Sequence, residues 1–113
     1  MGLSGGYGMS AATIIIILRL LAGIYGVDPA LATCIVERES DYNVDAVNGA
    51  CAGLVQWHPD TRAWLAEKAA GDPAWMHGDI GEGPVFDLAL MAFWIARGMG
   101  PHWSTWTICG GEG

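Results

Sequence analysis

Helix-breaking residues cut this chain at intervals of one helix length, and that punctuation limits what it can fold into. Residues 12–25 carry Ile14, Ile17, Leu18, Leu21 and Ile24 at helical spacing, with Gly26 as the expected terminator. Asp28-Pro29 follows, a capping carboxylate ahead of a proline suited to the first helical position, and opens a second helix running to about Glu39. Asp60 or Thr61 can cap a third helix through Trp64, Leu65 and Ala69, stopped by Gly71. Pro84 opens a fourth, with Val85, Leu88, Ala89, Ala92, Phe93 and Ala96 on one side; it ends near Arg97, before Gly98 and Gly100-Pro101. Residues 41–58 hold Asp, Asn and Gly at turn density, with room for a short hairpin at most. Asp72 to Gly83 is polar and Gly-rich and reads as a loop, and the tail HWSTWTIC is long enough for one more turn. The pattern specifies a mainly α domain of α+β type with little or no β hairpin.

At 113 residues the chain is sized for one domain, expected over residues 11–113, behind a flexible Gly-rich lead at residues 1–10 that contains no Lys or Arg. The Ile14–Leu18 run is broken by Arg19 and ends at Gly23 or Gly26, short of the ~20 residues that span a bilayer. No basic residue precedes it, so it does not read as an export signal either. A net charge of −7 leaves no basic stripe to neutralise phosphates, which argues against nucleic acid as a partner. It also slows encounter with any anionic surface, without forbidding binding. Six tryptophans can fill a core or serve as platforms on which sugars stack. His58, His77 and His102 have no ligand spacing to one another or to the cysteines, so neither a metal nor another cofactor is expected. Cys34 falls on the apolar side of its helix as a small buried thiol; Cys51 and Cys109, both in loop-like segments, could pair.

Two acids lie near the end of the second helix. Glu37 and Glu39 are two residues apart and so point in nearly opposite directions. Glu39 follows Ile35 and Val36 by four and three residues, which puts it on the apolar side, while Glu37 follows Thr33 onto the wetter one. Apolar neighbours and the negative end of the helix dipole both favour a protonated carboxyl, the form a general acid needs. Beyond Glu39 come amides and hydroxyls and then an apolar strip interrupted by Gln56. An acid facing hydrogen-bonding groups of that kind suits glycosidic bond cleavage.

The ordered set Glu39-Ser40, Tyr42-Asn43, Ala46-Val47, Gly53-Leu54-Val55-Gln56 and Pro59-Asp60-Thr61 resembles the core of the lytic transglycosylases and goose-type lysozymes, and Tyr25 to Leu31 is similar to the family's lead-in. The likeness covers roughly residues 14–61. It implies a compact lysozyme-like catalytic domain that cleaves the MurNAc–GlcNAc β-1,4 bond of peptidoglycan strands, with Glu39 as acid and then base. Candidate substrate contacts are Ser40, Tyr42, Asn48, Gln56 and Trp57, with Gln56 lying near the sugar in the resembling family. Ser40 also suits ordering the helix end around Glu39, Tyr42 and Asn43 match fold-keeping positions, and Gln56 equally suits a satisfied structural amide. Nine residues after the acid, transglycosylases of this kind carry Ser and some phage lysozymes Asp; here Asn48 cannot serve as a carboxylate base, which favours the non-hydrolytic reaction. Asp45 is a possible second acid that would position water, although Asp41, Asp45 and Asp60 all suit turn or cap duties. The family's late Tyr has no counterpart, since no Tyr follows Tyr42. The resemblance implies action on the bacterial cell wall. A compact member with no visible export signal suggests a phage endolysin or a virion-associated lysin, whole or cut from a longer protein, and a monomer is expected. Two rivals stand beside it: a cysteine peptidase using Cys51 and a histidine, and a glycan-binding module without catalysis.

Overall fold

The computed structural model describes residues 9–77, 83–98 and 104–110. Helix α1 (Ala11–Tyr25) starts at Ser10, whose hydroxyl oxygen accepts from the Thr13 N–H at 3.2 Å, and stops at Gly26, whose φ of +71° ends the helix in a left-handed turn. Helix α2 (Pro29–Ser40) is capped by Asp28, which accepts from the Ala30 N–H at 2.9 Å. Helix α3 (Pro59–Ala70) has His58 as its cap, with ring Nδ1 accepting from the Asp60 N–H at 3.1 Å, in place of the expected Asp60 or Thr61. Pro59 occupies the first helical position, so the cap must lie one residue earlier. Helix α4 spans Pro84–Ala96 and α5 spans Ser104–Ile108. Between α2 and α3 lies a minimal antiparallel hairpin, β1 (Val47–Asn48) and β2 (Cys51–Ala52), with Val47 opposite Ala52 and Asn48 opposite Cys51. Gly49, at φ +64°, takes the first turn position, where a two-residue hairpin needs a positive φ. The fold is mainly helical with little strand.

Helix α4 is the centre. Phe86 and every residue from Leu88 to Phe93 are buried, so the helix is enclosed nearly all round instead of along the one face expected, while Val85 and Ala96 are exposed. It packs on α1 and α3, and α1 packs in turn on α2. On α1 the inward stripe is Ile14, Leu18, Leu21 and Ala22. Ile24, expected inward, is 47% exposed, because it falls one and two turns beyond Leu20 and Ile16 on the outer face. Buried residues of α1 to α4 and of the turn between hairpin and α3 form a single core.

Two residues of the expected lead belong to the folded domain: Met9 packs on the core and Ser10 is the α1 cap. The rest of the expected lead, residues 1–8, lies outside the described residues, as do His102 and Trp103. The cysteine pairing corrects the expectation. Cys34 bonds to Cys109, with Cα atoms 5.8 Å apart, and Cys51 keeps a free thiol. Cys34 is only half-buried, on the side of α2 that receives α5, whereas Cys51 is held away in the hairpin. Among the described residues no helix is long and apolar enough to cross a membrane, and no group of three or more His, Cys, Asp and Glu could hold a metal ion. The radius of gyration, 13.3 Å, is close to the ~13 Å of a single domain this long.

Candidate active site

Helix α2 ends abruptly just after its acids. Glu37 is exposed and Glu39, on the penultimate helical residue, is half-buried. Ser40 is buried and its hydroxyl donates to the Val36 carbonyl at 3.1 Å, so it ties down the last turn. Asp41 and Tyr42 then both adopt left-handed backbone, with φ of 51° and 60°. A non-glycine residue held there costs on the order of 1 kcal/mol, and two in succession reverse the chain at once. Tyr42 is the anchor of that reversal: its hydroxyl donates to the Thr33 carbonyl at 3.3 Å, laying the ring back along α2.

The segment beyond is knitted by hydrogen bonds among the short polar residues the sequence supplies. The Asn43 N–H donates to the Ser40 carbonyl at 3.0 Å, the Asn43 side-chain oxygen accepts from the Asp45 N–H at 2.9 Å, and the Ala46 N–H returns to the Asn43 carbonyl at 3.1 Å. The Gly53 N–H then donates to the Ala46 carbonyl at 2.9 Å. Gln56, itself at φ +59°, closes the knot: its Nε2 donates to the carbonyls of Ala46 at 2.9 Å and Gly53 at 2.8 Å. Its other side-chain atom, Oε1, is buried and accepts no hydrogen bond from the described residues. A buried acceptor left so is unusual.

A cavity of about 300 Å³ opens beside this knot, walled by Cys51, Val55, Gln56, Trp57, His58, Thr61 and Trp94. The Trp57 and Trp94 rings lie 5.4 Å apart and give it aromatic walls. Of the residues expected to meet substrate, Gln56 and Trp57 line it; Glu39, Ser40, Tyr42, Asn48 and Asp45 do not. Asn48 and Asp45 are exposed in and near the hairpin. Glu39 and Gln56 therefore belong to one bonded stretch of chain but not to one cavity.

Two residues that sequence reasoning passed over lie against the turn. Asp87, in the first turn of α4, accepts from Arg62 Nε of α3 at 2.5 Å, and the Asp87 carbonyl accepts from the Trp57 indole at 3.3 Å. Burial raises the Asp87 carboxyl above its ordinary range, with Arg62 pulling it back down. A signal was present: Asp87 is the one charged residue in the otherwise apolar run PVFDLALMAFWIA. Comparison of the chain with protein-family models, with curated proteins and with solved structures gives no match.

Proposed function

We propose that the chain is a peptidoglycan-cleaving enzyme of the lytic transglycosylase type, acting on the MurNAc–GlcNAc β-1,4 bond. Glu39 protonates the bridging oxygen as the bond to the anomeric carbon breaks. The carboxylate so formed takes the proton from the sugar's own C6 hydroxyl, which closes onto that carbon as a 1,6-anhydro ring. No water is consumed and Glu39 regains its proton. The protein would act on the bacterial cell wall, as a phage lysin does, and as a monomer.

One observation carries the reading. The separate motif pieces beginning at Ser40, Asn43, Ala46, Gly53 and Gln56 form one continuous hydrogen-bonded knot directly beyond a half-buried Glu39. Such an arrangement holds amide groups in a fixed relation to an acid, which pre-organised catalysis requires. A cysteine peptidase ranks second, because Cys51 and His58 line the same cavity and Cys51 is free. Against it, His58 Nδ1 is already engaged, accepting the Asp60 N–H as the cap of α3.

The test is release of soluble fragments from purified peptidoglycan. Glu39→Gln should lower the rate roughly 10²- to 10⁴-fold, while Glu37→Gln leaves it within a factor of about three, as is usual for an exposed position away from the chemistry. Release that survives Glu39→Gln and disappears on thiol alkylation moves the chemistry to Cys51.

A further inference from the structure

We infer that Asp87, held by Arg62, is a positioning residue for the Gly53–Gln56 turn, and through it for the Gln56 amide; the inference rests on the glycosidase reading. The turn is fastened on one side by the Ala46 carbonyl, which takes hydrogen bonds from both the Gly53 N–H and Gln56 Nε2. Those bonds join it to the segment after Glu39, and Leu54 and Val55, buried in the core, hold its middle to the body of the molecule. Asp87 meets its two ends. A Cβ placed on Gly53 would lie 3.1 Å from Asp87 Oδ2, so the carboxylate sits directly against the glycine backbone. The carboxylate's other oxygen accepts from Arg62 Nε, and its main-chain carbonyl receives the Trp57 indole just past Gln56. One residue of the central helix thus touches both ends of the turn and a neighbouring helix.

The charge makes this joint depend on its partner. Side-chain exposure is 15% at Asp87 and 26% at Arg62, and a carboxylate this sheltered is tolerated because a cation meets it. Arg62 from α3 is the charged group that faces Asp87 among the described residues; the turn contributes Gly53 and the Trp57 indole, neither of which ionises. Arg62 is fixed from its other side by the Phe86 ring, 5.1 Å from its guanidinium carbon. Protonating Asp87 would loosen its hold on Arg62 and with it the seat of the turn.

Two measurements on the full chain test this. In a pH titration followed by NMR, the Gly53 backbone signals and the Trp57 indole N–H should shift together, with a midpoint above the ordinary carboxylate range, and Asp87→Asn should abolish that step. Gly53 signals that ignore Asp87 overturn the inference. In the fragment-release assay, Asp87→Asn and Gln56→Ala should each lower kcat/KM on the order of 10- to 100-fold. If Asp87 acts through Gln56, the double variant is no worse than the poorer single; multiplied losses mean independent roles and overturn it. Wild-type protein that releases nothing overturns the glycosidase reading instead, and the titration alone then decides whether Asp87 seats the turn.

Discussion

At Gly53 two demands meet, a φ of +84° and the Asp87 carboxylate 3.1 Å from where a side chain would begin. Gly53→Ala should therefore destabilise the fold by about 1–3 kcal/mol through backbone strain and the displaced carboxylate together. Gly49 also has a positive φ, +64°, but nothing lies within 4 Å of its would-be Cβ, so Gly49→Ala should cost only the backbone part. Urea denaturation of the two variants separates the cases, and equal losses would mean that the Asp87 contact carries no weight. Part of this was legible in the sequence. Gly53 stood out within an ordered motif, and the solitary Asp87 in an apolar helix was visible, but their meeting was not, because spacing along the chain does not encode long-range contacts. The left-handed pair Asp41–Tyr42 escaped for another reason: neither residue is the glycine that usually announces such backbone.

Among the elements, helix ends were the most readable features, because caps are local. Gly26 and Asp28-Pro29 do what their chemistry suggests; Ser10 was hidden in the expected lead, and His58 lies immediately before Pro59, which takes the first helical position. Faces were read less well. Helix α4 is apolar nearly throughout, so its pattern could not show that it is buried all round. The least legible feature was the disulfide. Helix α5 has five residues, too few to be stable alone, and the Cys34–Cys109 bond fastens it to α2 across a separation of 75 residues. Closing a loop of that length is worth about 2–5 kcal/mol. Cys109→Ser should lose about that much in a denaturant titration and match reduced wild type, while Cys51→Ser should change stability by less than ~1 kcal/mol. A large loss on Cys51→Ser with none on Cys109→Ser would contradict the pairing.

For the whole molecule, the mainly helical architecture followed from punctuation and apolar spacing, and its core gathers around α4 as one cluster. The candidate site divides differently. Its near half, from Glu39 to Gln56, is contiguous in the chain and could be read as an ordered motif, whereas its far half, Trp94 on the cavity wall and the Asp87–Arg62 joint, comes from helices that only folding brings near. The proposed function rests above all on Glu39 as the acid and base of a transglycosylase. Mass spectrometry of the soluble products from purified peptidoglycan, with wild type and Glu39→Gln side by side, tests it most directly. Fragments ending in 1,6-anhydroMurNAc are expected from wild type and none from the variant. Reducing MurNAc ends, lost in the variant, would keep Glu39 but contradict the non-hydrolytic reaction; products unchanged by the substitution, or none from either protein, would contradict the central claim itself.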